Sequence, residues 1–197
     1  GEAQRELLLA ELNHRVKNTL AVIQGIAHQT FRNGAATPES RMAFEGRLLA
    51  LSTAHSLLTR SNWQNARLDR LAVDAFIAQG VDISRFAVTG PPVEWPAQQS
   101  LGLSMAIHEL CTNALKYGAL SGDAGIVDLS WDIDHAGART ITIAWRERDG
   151  PPVAPPEREG FGSRLIRQVV AGDLDGTVAT EFAPAGLSCI ITAPLPG

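Results

Sequence analysis

Four groups of residues in this chain have the types and spacing to handle phosphate. The first is His14, followed along a helical pattern by Asn18, Ala21 and Gly25 at steps of four, three and four, with Arg15 and Lys17 beside it. An imidazole with an ordinary pKa of about 6.5 keeps a neutral, nucleophilic nitrogen at physiological pH. On a stripe that narrows to Ala21 and Gly25 it could take a phosphoryl group and hand it to an acidic partner that approaches closely. Taken alone, the same stripe also reads as a solvated helix face with an incidental histidine. His28 and His55 read as surface or packing residues. The second group is Glu109, Asn113 and Lys116, spaced four and three apart on one helix face. A carboxylate, a carboxamide and an ammonium suit a hydrated magnesium ion and phosphates, because Mg2+ keeps waters and needs few protein oxygens. A solvated face with an ion pair is the plain alternative.

The third group is Trp145-Arg146-Glu147, a buried aromatic two residues before a carboxylate at the end of a strand. That carboxylate could accept the exocyclic amine of an adenine, or it could simply mark a charged strand exit. The fourth is Gly160-Phe161-Gly162-Ser163, which opens a helix. Glycines let a backbone approach phosphates, Ser163 can cap, and a helix N-terminus favours anions. An ordinary helix start fits the same residues.

Two kinds of element must position these groups. From Glu2 to about Arg32 there is no proline, and Leu9, Leu12, Val16, Leu20, Ile23, Ala27 and Thr30 recur at three- and four-residue steps. That period predicts an amphipathic helix, roughly 45 Å long at ~1.5 Å per residue. Arg32-Asn33-Gly34 reads as its stop, and Thr37-Pro38 as the N-cap and first residue of a second helix. This second helix runs to about Arg60 with Phe44, Leu48, Leu51, His55 and Leu58 on one side. Two helices joined by a short loop bury one seam poorly, so a homodimer completing a four-helix bundle is expected. Beyond SNWQNAR the pattern changes. A short helix is expected over Leu68–Gln79, strands over Phe86–Val88 and Val93–Trp95 around Gly90-Pro91-Pro92, and a long helix over Ala97–Tyr117 whose Leu103, Ile107, Leu110, Cys111 and Ala114 face a core. Alternation predicts strands over Gly125–Ile133 and Thr140–Trp145, and two more strand candidates, Thr177–Phe182 and Ser188–Ala193, are split by Pro184-Ala185-Gly186. Pro151–Gly160 has no apolar period and the length of a lid.

Composition removes several classes. Seventeen Lys and Arg against 21 Asp and Glu give a net charge of -4, which disfavours a dedicated nucleic-acid binder. Hydrophobic residues at 45% can build a core. No apolar run reaches the roughly 20 residues that a membrane span needs. Cys111 and Cys189 are far apart without CxxC spacing, so a disulfide scaffold and a zinc site are disfavoured and a reducing cytoplasm fits. Residues 1–66 carry seven Lys and Arg against five acids, and residues 67–197 carry ten against sixteen. Two modules follow, residues 1–62 and 67–197, with the boundary near Ser61–Arg67. The chain begins inside a helical pattern, as a piece of a longer protein would.

Order and wording together resemble one family. Glu11-Leu12-Asn13-His14-Arg15-Val16-Lys17-Asn18-Thr19-Leu20 resembles the phosphoacceptor box of HWE-type sensor histidine kinases. The run from His108 to Ser121 resembles their N box, with its characteristic histidine. Trp145-Arg146-Glu147 matches the W-x-E of their first glycine box, and Gly160-Phe161-Gly162 the second. The resemblance implies an α+β protein: an antiparallel helical hairpin that dimerises as a four-helix bundle, then an α/β sandwich of the Bergerat ATP-binding type. It further implies ATP and Mg2+ as cofactors, autophosphorylation of His14, and transfer to an aspartate of a response regulator receiver domain, with the sensor domain outside this chain. By motif position Asn113 would bind magnesium with Glu109 beside it, Lys116 and Tyr117 would meet phosphates or the lid, and Glu147 would take the adenine amine. Gly150, Gly160, Gly162 and Ser163 would line the nucleotide loop and lid, and Asn18 would influence dephosphorylation or receiver docking. Glu11, one turn before His14, is a candidate helper.

The family writes E-x-G-G-P where this chain has Glu147-Arg148-Asp149-Gly150-Pro151. Asp149 in place of a glycine could stiffen the nucleotide loop or compete with Glu147. It is the one hint toward a degenerate phosphorelay or scaffold module. An ATPase that uses nucleotide only as a conformational clamp is a third class, against which the His14 stripe argues.

Overall fold

The computed structural model describes residues 2–31, 34, 36–60 and 65–195, with side chains described except at positions 2, 5, 9, 13, 29, 53, 57–60 and 161. Contacts divide the chain into one unit ending at Leu48 and another beginning at Leu49.

In the first unit, helix α1 spans Glu2–Thr30, as its uninterrupted period requires. Gly34 follows with a φ of 73°, the left-handed conformation suited to a helix stop; Arg32 and Asn33 lie outside the described residues. Helix α2 spans Pro38–Arg60 and crosses the division between Leu48 and Leu49. Thr37 caps it, its Oγ1 accepting from the Ser40 amide at 3.1 Å, and proline at the first position sacrifices no intrahelical hydrogen bond. Near the connection Phe31 and Phe44 meet at 5.4 Å between ring centres, and Arg47 donates to Thr30 Oγ1 at 3.3 Å. The expected seam of α1 is covered only toward this end. Ile26 is buried, whereas Leu12, Val16 and Leu20 are exposed. Leu9 and Leu58, also assigned to the seams, have side chains outside the described set.

The second unit contains a five-stranded sheet in the order β2-β4-β5-β7-β6, formed by Phe86–Thr89, Ile126–Asp134, Thr140–Arg148, Gly186–Pro194 and Thr177–Ala183. Strand β2 joins β4 in parallel and the other pairs are antiparallel. Helices α3 (Leu68–Ala78), α4 (Ala97–Tyr117) and α5 (Phe161–Gly172) form the second layer. Alternation dictates which face they cover: Val127, Leu129 and Trp131 of β4 and Ile141, Ile143 and Trp145 of β5 are buried. Phe76 of α3 stacks on Phe86 of β2 at 3.6 Å and tilts against Trp145 at 6.0 Å. From α4, Leu103, Ile107, Leu110, Cys111 and Ala114 are buried. Each large apolar side chain so removed from water contributes about 1.5–3 kcal/mol.

Two expectations are corrected. The strand expected over Val93–Trp95 forms as β3, Glu94–Pro96, but it does not join β2. It pairs with β1, Asn65–Arg67, a strand hidden in the expected boundary. Pro91 and Pro92 lack amide donors and cannot form a ladder. Instead the Trp131 indole donates to Pro91 O at 2.7 Å. Strand β5 also continues beyond Trp145 to Arg148, where it pairs with Ile126, so Glu147 lies within the sheet rather than past its end.

A Cβ at Gly90 would stand 2.5 Å from Cδ2 of the Trp131 indole. Gly90→Ala is expected to destabilise the protein by about 1–3 kcal/mol, the cost of overpacking. Thermal denaturation checks this, and an unchanged midpoint would show that the indole moves aside freely.

Candidate functional site

Helices α4 and α5 build one half of the site by running antiparallel at close range. At one end a Cβ on Gly102 of α4 would lie 2.6 Å from Asp173 Oδ2 and 3.0 Å from Val169 of α5. At the other, a Cβ on Gly162 would lie 2.8 Å from Glu109 Oε2 and 3.4 Å from Asn113 Nδ2. The structure therefore gathers Glu109, Asn113 and Gly162, as their motifs implied, and a side chain at position 162 would displace the two oxygen-bearing groups. Glu109 is buried and Asn113 half-buried, while Lys116 and Tyr117 one turn further on are exposed. The expectation that Ser163 caps α5 is corrected: the N-cap is Gly160, with no side-chain cap bond, and Ser163 sits within the first turn. Gly160 has open space where a Cβ would go, and the Phe161 side chain lies outside the described set. Residues 151–160 form no helix or strand, and an Arg167–Glu159 ion pair ties the end of that segment to α5.

The other half centres on Glu147. Its Oε2 accepts from Trp145 Nε1 at 2.9 Å and its Oε1 from the Ala119 amide at 2.8 Å. Only 5% of the residue is exposed. Burial raises the carboxyl above its ordinary 4.5, opposed by the two hydrogen bonds. The spacing of two in Trp-x-Glu puts both side chains on one sheet face, which is why the indole can donate to the carboxylate. Burial pushes the nearby Cys111 thiol up to about 12, with the charge of Glu147 as a smaller cause. Cys189 is raised the same way, and both cysteines are free.

Asp149 stands where the family writes glycine, in a conformation that a glycine adopts freely. Its φ is 59°, the left-handed region that aspartate enters more readily than most residues. Its carboxylate is exposed and accepts from Arg148 at 2.7 Å, while Arg148 also bonds Asp128 at 2.8 Å. It therefore does not share the burial of Glu147.

In the first unit His14, Asn18, Ala21 and Gly25 are all exposed along one stripe, and a Cβ at Gly25 would meet nothing within 4 Å. Glu11, considered as a helper, accepts from Arg15 at 2.7 Å.

Sequence reasoning missed two features. The Ala119 amide serves Glu147, but a backbone donor leaves no trace in residue types. Gln79, the C-cap of α3, places Nε2 2.8 Å from His108 Nδ1 and donates to Thr112 Oγ1 at 2.9 Å, fastening α3 to α4. Its signal, an isolated glutamine after a short helix, is indistinguishable from a surface residue. Among the described residues no cluster of three His, Cys, Asp or Glu could hold a metal. A divalent ion at Glu109 and Asn113 would draw its remaining ligands from phosphate and water, as Mg2+ does, and the oxygen donors present fit it.

Solved histidine kinase domains share this fold. The chain aligns with a blue-light activated histidine kinase of Erythrobacter litoralis at TM-score 0.66 and 23% identity, over 95% of this chain and 58% of that one. The separate histidine kinase domain from that protein aligns at TM-score 0.58 and 18% identity, over 89% and 96%. These likenesses give the fold. Residues 11–92 match the family described as HWE histidine kinase, and a blue-light-activated histidine kinase of Brucella ovis is 37% identical over 99% of this chain and 40% of its own length. A Brucella anthropi protein of the same description matches at the same identity and extent. Over residues 11–92 the chain is thus similar to the HWE histidine kinases, and it spans about 40% of the length of these curated relatives.

Two predictions follow from Asp149 and Glu147. Asp149→Ala should lose about 1 kcal/mol, because alanine keeps the Cβ in the left-handed region without the short polar side chain that eases it there, whereas Asp149→Gly should be close to neutral; equal losses in denaturant titration would show that the aspartate side chain, not the backbone, matters. A carboxyl raised in the folded state contributes stability below its ordinary 4.5 that is lost as pH climbs through the native value. Glutamine does not titrate. The stability of Glu147→Gln relative to the parent should therefore rise as pH climbs from 4.5 through the raised native value and level off above it, on top of a pH-independent loss of about 1 kcal/mol for one mismatched hydrogen bond. Melting temperatures of both proteins between pH 4 and 8 check the slope, and parallel curves would count against a raised carboxyl.

Proposed function

We propose that the chain is a sensor histidine kinase transmitter module that phosphorylates His14 from ATP and passes the phosphoryl group to an aspartate of a response regulator. Residues 1–62 would form the dimerisation and phosphotransfer hairpin and residues 67–197 the catalytic ATP-binding domain. The observation that carries the reading is the convergence of Glu109, Asn113 and Gly162 where α5 begins, in the same unit as the buried Trp145–Glu147 pair.

In this reading Glu147 accepts the adenine amine through the lone pairs that Trp145 and Ala119 leave, since each carboxylate oxygen has two acceptor sites. Asn113 and Glu109 hold Mg2+, whose charge offsets that of the phosphates. Lys116 and Tyr117 lie exposed toward the phosphates or the lid, with Gly150, Gly160, Gly162 and Ser163 lining the loops around them. A neutral nitrogen of His14 attacks the terminal phosphorus. The N–P bond forms, the bond to the bridging oxygen breaks, ADP departs, and the ring loses a proton to restore a neutral phosphoimidazole. A receiver aspartate then attacks that phosphorus and the N–P bond breaks. Asn18, Ala21 and Gly25 give the receiver an open face at which to dock.

The exposed stripe of Leu7, Leu8, Leu12, Val16 and Leu20 supports a homodimer, because a contiguous apolar helix face is stabilised by a second copy. Among the described residues no helix is long and apolar enough to cross a membrane. Two buried free thiols suit a reducing cytoplasm. The alternative, a degenerate scaffold module, rests on Asp149; its left-handed backbone, which a glycine would also adopt, favours the kinase reading.

Incubation with labelled ATP and Mg2+ should label the protein in an acid-labile form, and His14→Ala should abolish the label. Label that persists in that variant would assign the phosphoacceptor elsewhere, and a parent that binds no nucleotide would favour the scaffold.

A further inference from the structure

Arg85 has no place in any of the motifs, yet its side chain reaches the segment on which the Glu147 pocket depends. It ends a 3-10 turn over Ile83–Arg85 that Asp82 fixes, the Asp82 carboxylate accepting from the Ser84 amide at 2.9 Å. From there the guanidinium donates to three backbone carbonyls: Gly125 O at 3.0 Å, Ala119 O at 3.3 Å, and Gly122 O. All three lie in the stretch that joins α4 to β4. A planar fork with five donors can satisfy three carbonyls at once, which an ammonium on a flexible stem does far less well.

Among these acceptors Ala119 is the residue that matters. The Ala119 amide is the donor to Glu147 Oε1, at 2.8 Å. Around it the backbone is packed too tightly for side chains: a Cβ on Gly150 would collide with Ala119 Cα, one on Gly125 with Ala119 O, and one on Gly118 with Glu147 Oε1. The slot in which Ala119 sits is thus walled by glycines, which shape it but make no directed bonds to it. Arg85 supplies that direction from the carbonyl side, while the amide side faces Glu147. Without Arg85 the carbonyls of residues 119, 122 and 125 lose a shared donor, and the amide of Ala119 is free to turn away from the carboxylate.

We propose that Arg85 is a positioning residue for the adenine end of the nucleotide site, holding Ala119 so that Glu147 keeps the orientation that accepts an exocyclic amine. The inference rests on the reading of Glu147 given above. Its signature is base discrimination. A carboxylate fixed by donors on both oxygens attracts the 6-amine of adenine and repels the 6-carbonyl of guanine. A carboxylate held only by Trp145 rotates and loses that contrast.

The test is calorimetric titration of the full chain with ATP and with GTP in the presence of Mg2+, for the parent, Arg85→Ala, Arg85→Lys and Glu147→Gln. Arg85→Ala is expected to weaken ATP about tenfold, the equivalent of roughly 1.4 kcal/mol, with GTP affected less, so the ATP preference falls. Arg85→Lys, which retains part of the donor set, should fall between it and the parent, and it carries the test alone if Arg85→Ala does not fold. An unchanged ATP-to-GTP ratio in Arg85→Lys and in folded Arg85→Ala, with the ratio lost in Glu147→Gln, would overturn the proposal and leave Arg85 a structural staple. A ratio that survives in Glu147→Gln would overturn the reading of Glu147 itself, and the proposal with it.

Discussion

A carboxylate buried in a protein must be met by hydrogen-bond donors, and much of the second unit can be understood as meeting that requirement for Glu147. One donor is the Trp145 indole, two positions back on the same strand. The other is the Ala119 amide, delivered by the turn that ends α4. To bring that amide within reach the chain needs Gly118 and Gly150 free of side chains, and Gly125 free where the turn re-enters the sheet. The cost of burying the charge is visible in the raised carboxyl, and groups whose ionisation is perturbed by desolvation are frequent at functional sites. A sheet, a helix end and three glycines are thereby constrained by one group.

The α4–α5 contact follows the same economy. Small residues at both ends of the crossing let the helices approach, Gly102 against Val169 and Asp173, Gly162 against Glu109 and Asn113. Between them Leu165, Ile166, Val169 and Val170 of α5 are buried. The segment that precedes α5 is thus anchored at its C-terminal end while its own residues remain free of regular structure, which is the arrangement a covering loop needs.

Much of this was legible in the sequence, for physical reasons that differ by element. Helix α4 could be bounded at Ala97 and Tyr117 because a long apolar period runs between a proline and a glycine. Strands β4 and β5 announced themselves by alternation, β6 and β7 by the Pro184-Ala185-Gly186 break between them, and Trp145 and Glu147 by a spacing that fixes both on one face. The pairing of β3 with β1 did not show, since three-residue strands carry no period and their partner is chosen by tertiary contact. Which part of α1 is covered does not show, because periodicity identifies an apolar face without saying what lies against it; among its described side chains the buried one is Ile26, off the expected stripe. Backbone donors such as Ala119, and long-range fasteners such as Gln79 and Arg85, depend on which carbonyls and amides meet in space, and composition is silent on that.

Asp149 occupies a backbone conformation that more than one residue type can supply. At a φ of 59° the backbone admits glycine freely and aspartate or asparagine at modest cost. What persists through such a replacement is a torsion angle, and a search that insists on glycine there would pass over chains whose loops are shaped alike. An acidic side chain that enters by this route brings a charge to the rim of the site, and here the neighbouring Arg148 neutralises it between two carboxylates. Divergence at the rim can then proceed in coupled arginine–aspartate steps, leaving the interior carboxylate untouched.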